Sequence, residues 1–438
     1  MQPTDLGLIA GVPFLGLLLS IALLPALAPR FWLRRMGWVA AGWSLLLLAP
    51  LAVLEGPGAA WAMGWHVVLV EYLPFIALLG ALYTAAGGVL LRGGPGGSPS
   101  GNTALLTLGM ILGLVMGPTG AAMVMIQPLL HANAHRRRKV HLVLFLIVLV
   151  ANASGALTPL GNPPLFVGLL RGVPFFWPAQ QLWMPYLVFG LIVLAVFFML
   201  DRYFAAREPP APPPRPLHIR GWGNGVLVAV LGGSVLAQGL PLPELTLLGQ
   251  HVGSGRLGGI VVAAGAMALS LRITPRAVRQ ANDFAWHPMI EVAVLFAAIF
   301  VTLAPVSELL RTGSDGPLAP LFALTRDGTG QPRIWAYFWL SGILSAFLDN
   351  APTYLVFFDL AGIRPEAMTP IQEATLRAIS AGAVFFGGLT YIGNAPNLML
   401  RTVAAHRGVR MPGFFGFLAL AAALLLPVFG VLTVLFLL

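Results

Sequence analysis

The sequence predicts an all-α polytopic membrane protein made of two inverted-topology repeats, each with a re-entrant hairpin and a broken transmembrane helix. Three observations predict it. The 438 residues are 58% hydrophobic and only 9% charged, whereas soluble domains carry roughly 25% charged residues. A spanning helix needs about 20 apolar residues, and about ten such segments plus two hairpins fit the chain. Finally, two pairs of Gly-Asn-Pro-type interruptions recur in the same order in the two halves of the sequence.

The elements follow in order. The first apolar stretch, Gly7 to Ala28, is long enough to span and lacks a convincing cleavage site, so it reads as a retained helix at 7–29. Helices are predicted at 36–54 and 62–91, then a Gly-rich connector from Gly93 to Gly101. The apolar stretch 103–130 is interrupted at Gly117-Pro118-Thr119-Gly120 and reads as the inner hairpin. A helix from near 140 breaks around 152–164, an interfacial stretch carries Trp177 and Trp183, and a fifth helix spans 185–200. Residues 1–200 form the first repeat. The proline-dense segment 201–223 reads as an extended cytoplasmic linker. The second repeat, 224–438, has helices near 224–240, 258–271 and 286–304, then a polar loop at 305–332. The outer hairpin, 333–359, is broken at Asp349 to Thr353. A helix at 371–400 breaks around 390–397, and the last runs 413–438.

Charge is consistent with this layout. With the N-terminus outside and both interrupted stretches re-entrant, 18 of the 25 Lys and Arg residues fall on the cytoplasmic side: Arg30, Arg34, Arg35, Arg92, Arg136 to Lys139, Arg202, Arg207, Arg215, Arg220, Arg272, Arg276, Arg279, Arg401, Arg407 and Arg410. That is the positive-inside bias, and it explains the net charge of +10 without nucleic acid. Both termini are then outside, in a bacterial-type inner (cytoplasmic) membrane. No cysteine is present, which excludes disulfides and thiolate metal sites.

The repeat is the strongest signal. Gly117-Pro118-Thr119 matches Ala351-Pro352-Thr353, and Gly161-Asn162-Pro163-Pro164 matches Gly393-Asn394-Ala395-Pro396. Glu71 and Glu291 form a third pair, each following a histidine, His66 or His287. Backbone groups in lipid must be satisfied internally, so a broken helix survives only when buried in protein or lining a polar cavity. Asn162 and Asn394 can cap the restarted helices, where a first-turn proline loses no needed bond. Paired inverted breaks are a secondary-transporter design. The new helix N-termini can hold an anion and the unwound carbonyls Na⁺. Ordinary proline kinks or loops are the structural alternative.

At these motifs the chain resembles the ion transporter superfamily, which includes divalent-anion/sodium symporters, citrate transporters, arsenite efflux pumps and a class of sodium/proton antiporters. GPTGAAMVMIQPLL (117–130) is similar to its inner hairpin, ASGALTPLGNPPLFVG (153–168) to its first broken helix, FLDNAPTYLVFF (347–358) to its outer hairpin and LTYIGNAPNLML (389–400) to its second broken helix. The resemblance implies a scaffold domain, a moving transport domain, a homodimer, and sodium sites between each hairpin tip and its broken helix. Carried over, Thr119, Ser154, Thr158 and Asn162 form the first site. Asn350, Thr353, Thr390, Asn394 and Asn397 form the second, with Na⁺ at Thr119, Asn162, Asn350 and Asn394. Dicarboxylate members carry Ser-Asn-Thr at both tips. Here the tips read Gly-Pro-Thr and Asp-Asn-Ala-Pro-Thr, closer to the antiporter branch.

An ionisable group inside the bilayer costs at least ~2.5–3.5 kcal/mol and marks function by default. Burial opposes ionisation of Asp349 at the second tip, and a bound cation favours it. Na⁺ and H⁺ then compete for one carboxylate; helix capping is the structural alternative. Glu71 and Glu291 are further proton-coupling candidates, against a snorkelling role. Asp359 reads as solvated at the outer boundary, and His131, His135 and His141 as a solvated turn rather than a metal site. No midmembrane Arg or Lys is evident, which favours a cation as cargo.

These readings lead to sodium/proton antiport by alternating access, with Na⁺ as transported or coupling ion and no cofactor. Sodium- or proton-coupled citrate or dicarboxylate transport is the alternative, and arsenite efflux is weaker. The chain has no His-Glu-x-x-His and no Ser/His/Asp set on helices, which argues against a membrane enzyme. The expected partners are the lipid bilayer and a small ion or organic anion.

Overall fold

A computed structural model describes residues 7–238, 240, 243–247, 249–313 and 316–438. It is mostly helical. The first helices are α1 (Val12–Leu27), α2 (Pro29–Leu54), α3 (Pro57–His66) and α4 (Leu73–Ala86), the last two joined by a π-helical turn at Val67–Tyr72. Then come α5 (Pro99–Ala132), α6 (Val140–Phe145), α7 (Pro163–Leu170) and α8 (Trp177–Ala205). The chain continues through α9 (Gly223–Ala237), α10 (Ser254–Ile273), α11 (Arg276–Ala281), α12 (His287–Arg311) and α13 (Ala319–Thr325). It ends with α14 (Ile334–Phe347), α15 (Asn350–Leu360), α16 (Pro370–Phe385), α17 (Ala395–His406) and α18 (Phe414–Phe436). Short antiparallel ribbons, Leu90–Gly94 with Arg215–Arg220 and Glu244–Leu247 with Gln250–Gly253, are peripheral.

Among the described residues, eight helical stretches are long and apolar enough to cross a membrane. Seven of these match predicted spans and the eighth, Pro99–Ala132, the predicted inner hairpin; the other three predicted spans fall in the short Val140–Gly155 and Gly223–Ala237 and in the stretch divided between α16 and α17. The long stretches leave apolar side chains such as Leu15, Leu45, Val53, Leu191, Val261 and Val434 exposed, as a lipid-facing surface requires. Leu146 to Val150, a π-helical turn after α6, has every side chain fully buried and lies in the main core.

Two reversals organise that core. A continuous 34-residue helix would be about 51 Å long. Yet the ends of α5 meet: Asn102 Nδ2 donates to Asn133 Oδ1 at 3.0 Å, and Asn133 Nδ2 donates to Asn102 Oδ1 at 2.7 Å. The chain turns back at Gly117, whose backbone (φ 76°, ψ 158°) only glycine adopts without strain. The second reversal lies between α14 and α15, where Leu348 is extended and the rings of Tyr337 and Phe357, each ten residues from Phe347, stand 6.3 Å apart.

Some boundaries differ from the sequence reading. α2 starts at Pro29, so Arg30, Arg34 and Arg35 lie inside a helix, not in a loop. Proline at the first helical position starts that helix and needs no N–H. α8 begins at Trp177 and runs to Ala205, so the first five residues of the 201–223 segment are helical, and α12 carries on to Arg311.

Candidate binding site

Each interrupted helix unwinds against one reversal. After the Ala153–Gly155 turn the chain leaves helical geometry and restarts at α7. There Thr158 Oγ1 donates to the Leu114 carbonyl and accepts from Gly161 N at 2.9 Å. After α16 a 3₁₀ turn at Phe386–Leu389 leads to the second unwound stretch and to α17. There Thr390 Oγ1 donates to the Ala346 carbonyl and accepts from Gly393 N at 3.0 Å. Asn162 (φ −151°, ψ 131°) and Asn394 (φ −156°, ψ 138°) precede the two restarted helices in almost the same conformation.

Thr158 and Thr390, Leu114 and Ala346, Gly161 and Gly393, and Asn162 and Asn394 are each 232 residues apart. In that register Gly117 stands opposite Asp349, and Pro118 opposite Asn350. The motif pairing of Gly117-Pro118-Thr119 with Ala351-Pro352-Thr353 is therefore two residues out of step. Pro-Thr recurs in both tips, and the letters align where the backbones do not.

The two asparagines do not cap. Neither makes a side-chain bond to its own helix N-terminus. Asn162 Oδ1 accepts from Asn350 Nδ2 at 3.1 Å, joining the first break to the second tip. Asn394 Nδ2 donates to the Ala151 carbonyl at 2.9 Å and Asn152 Oδ1 at 3.2 Å. Asn152 Nδ2 in turn donates to Asn397 Oδ1 at 2.8 Å, and Asn397 Nδ2 to the Gly387 and Thr390 carbonyls. The predicted second set is thus divided: Asn350 joins Asn162, whereas Asn394 and Asn397 join Asn152. Sequence reasoning missed Asn152, though an amide at the onset of an unwound stretch was a usable signal.

Most of the remaining predicted site residues have protein partners. Ser154 Oγ donates to the Val150 carbonyl at 2.6 Å, and Thr353 Oγ1 to the Asp349 carbonyl at 3.2 Å. Thr119 lines a cavity of about 30 Å³ with Gly117, Gly161 and Asn162, room for a water or a small ion. Asp349 is half-buried and caps α15, accepting from Ala351 N at 3.3 Å. Among the described residues two buried atoms here have no partner, Asn162 Nδ2 and Asn350 Oδ1. An unpaired buried polar atom costs about 1–3 kcal/mol, so this donor and acceptor are where a ligand gains most. The donor suits a carboxylate oxygen. The acceptor, with Asp349 next in sequence, suits a cation.

The outlying acids are not as expected. Asp359 is buried, with Arg171 Nη1 at 3.1 Å and Arg311 Nε at 3.7 Å. Arg171 also reaches Glu71 at 3.5 Å. Glu71, Arg171, Arg311 and Arg256, which donates to the Leu170 carbonyl at 2.7 Å, line a cavity of about 760 Å³. Its wall includes Val167 and Leu170 of α7, a helix roughly 12 Å long whose other end is Asn162. Arg171, Arg256 and Arg311 thus gather at the far end of α7 from Asn162, an ionic cluster that the sequence reading did not anticipate. Glu291 accepts from Trp32 Nε1 at 3.4 Å and has no bond to Glu71. His141 is buried, its Nε2 2.8 Å from Asp201, rather than solvated. Among the described residues no group of three His, Asp or Glu side chains is arranged to hold a metal ion.

A family model described as "Putative citrate transport" matches residues 3–437. No curated protein matches the chain.

Proposed function

We propose, from the premise that the chain belongs to this citrate-transport family, that it is a secondary active carrier of citrate or a related carboxylate, coupled to Na⁺ or H⁺. It is a membrane transport protein, not an enzyme. Of the two leading readings, the family description favours carboxylate transport over sodium/proton antiport.

One observation carries the assignment of the site. The Asn162–Asn350 pair joins an unwound helix to a chain reversal, and it leaves one buried donor and one buried acceptor unpaired. In our reading the donor and the start of α7 meet a substrate carboxylate. Oxygens of the unwound stretches and the second tip hold the coupling cation. The two reversals act as re-entrant hairpins, the 232-residue correspondence as an inverted repeat, and the hairpins with their broken helices move together as an elevator-like unit between the two sides. The end that gathers Arg92, Arg136 to Lys139, Arg215, Arg220 and Arg407 faces the cytoplasm under the positive-inside rule, with both termini outside, and two copies form the working dimer.

The test is uptake of radiolabelled citrate into proteoliposomes under imposed Na⁺ or proton gradients. Gradient-driven uptake that falls at least about tenfold in Asn350→Leu, with the melting temperature retained, supports the reading. Absence of uptake under both gradients sinks it. The carboxylate of Asp349 specifically favours sodium/proton antiport as the second reading. That reading requires Na⁺ or Li⁺ to collapse an imposed pH gradient when no citrate is present.

A further inference from the structure

At the arginine-rich end, α6, α8 and the turn before α18 surround a second large cavity of about 630 Å³. Arg137, Arg138 and Lys139 line it from the turn before α6, and Arg410 lines it from the turn after α17. The four cations come from two places 271 residues apart in sequence. Among the described residues none of them forms an ion pair. Two carboxylates lie close by, and among the described residues neither forms an ion pair with these four side chains, although the charge of Arg138 acts on Glu208. Glu208 accepts from the backbone N–H groups of Arg137 and Arg138, both at 2.9 Å, and those bonds hold its carboxyl below the usual carboxylate range. Asp201 is buried and tied to Arg136, His141 and Asn102. Arg138 also stands over the Phe204 ring, 5.6 Å from its centroid.

The rest of the wall is mostly apolar, Leu144, Leu200 and Leu420 with Phe204, beside His141, whose Nε2 is tied to Asp201. Leu420 is 48% exposed, and Met199 and Tyr203 beside the wall in sequence are 62% and 54% exposed, so the cavity opens where the lipid-facing surface ends. A soluble anion has no use for such a wall. An amphipathic anion has use for both parts, with its charge among the guanidinium and ammonium groups and its chains along the leucines.

We propose that this cavity is a binding site for the headgroup of an anionic phospholipid, its phosphate diester held by Arg137, Arg138, Lys139 and Arg410 and its first acyl carbons by Leu144, Leu200 and Leu420. Each basic side chain near an anionic membrane surface strengthens binding about fivefold. Four converging on one phosphate retain one lipid against exchange with neutral neighbours. The site lies apart from the Asn162–Asn350 pair, and its occupancy does not depend on what the carrier moves.

The test uses the full-length protein in neutral detergent, titrated with phosphatidylglycerol, phosphatidylethanolamine or inorganic phosphate, and read by native mass spectrometry and by melting temperature. The expected result is a retained adduct and a raised melting temperature with phosphatidylglycerol only. In the variant Arg137→Gln/Arg138→Gln/Lys139→Gln/Arg410→Gln the apparent affinity falls at least about tenfold. The exposed pair Arg272→Gln/Arg276→Gln, outside the cavity, leaves it unchanged. If the fourfold variant does not fold, Arg410→Gln alone serves, with a smaller loss expected. Equal retention of phosphatidylethanolamine, the same stabilisation by inorganic phosphate, or full retention by Arg410→Gln and the fourfold variant overturns the proposal.

Discussion

The two unwound stretches share one scaffold and differ in their chemistry. In each, a threonine hydroxyl bridges a reversal carbonyl to a glycine N–H three residues on, and an extended asparagine leads into a helix. The tips set against them differ. In the common register the first presents Gly117-Pro118, with no side-chain charge or amide, and the second presents Asp349-Asn350, with both. The asparagines follow suit. Asn162 reaches across to Asn350, whereas Asn394 turns inward to Asn152. The same backbone geometry thus occurs twice, and among the described residues one donor and one acceptor stay unpaired where the first break meets the second reversal. A symmetric pair of ion sites, as the resemblance implies, is not what these side chains favour.

The sharpest way to break the comparison is at the scaffold glycines. An alanine Cβ at Gly155 would lie 1.9 Å from the Gly161 carbonyl oxygen, a clash with backbone. At the matching Gly387 it would lie 2.6 Å from Asn152 Oδ1, a side-chain atom, and 3.4 Å from the Gly393 carbonyl oxygen. Gly155→Ala is expected to remove folded protein from the membrane fraction, at or beyond the ~1–3 kcal/mol usual for overpacking. Gly387→Ala should yield less protein than wild type but more than Gly155→Ala, measured by monodisperse yield on size exclusion. Equal yields would mean that the first turn is not held as tightly as its hydrogen bonds indicate.

Asp349 offers a middle-sized effect. Asparagine caps a helix about as well as aspartate, so Asp349→Asn keeps the α15 start and removes only the charge. The melting temperature should barely move, while cation dependence of transport should fall by about tenfold or more if the carboxylate holds the coupling ion. Ala, which loses cap and charge together, should cost about 0.5–2 kcal/mol of stability as well. Should Asp349→Asn transport with unchanged coupling, Asp349 is a cap alone.

The contrast also explains what the sequence could reveal. The breaks were legible because Gly117, Pro118, Pro163 and Pro396 act locally: a positive φ at Gly117 and a missing N–H at the prolines need no distant partner. The spans were legible from composition. The partners of the polar side chains were not. Asn162 meets Asn350 across 188 residues, and Asn152 meets Asn397 across 245. Asp359 reads as a boundary carboxylate until Arg171 and Arg311 are folded against it. Even the 232-residue register needed hydrogen bonds, since a two-residue slip still matches Pro-Thr with Pro-Thr.

The smallest expected effect tests whether the shared scaffold is energetically equal. Thr158→Val and Thr390→Val each keep the side-chain shape and delete one hydroxyl. Each leaves a reversal carbonyl, Leu114 or Ala346, and a glycine N–H without the partner they now share. A buried group left without its partner costs about 1–3 kcal/mol, which predicts a fall in melting temperature similar for both, so the difference between them is the small quantity read. Thr390 is fully buried and also accepts from Ile392 N at 3.2 Å, so any inequality should run against the second break. A larger loss at Thr158, or a loss of transport there without a loss of stability, would mean that its hydroxyl serves a ligand in some state of the cycle as well as the turn. The small cavity at Thr119 and Asn162 next to it would then be the place to look for that ligand.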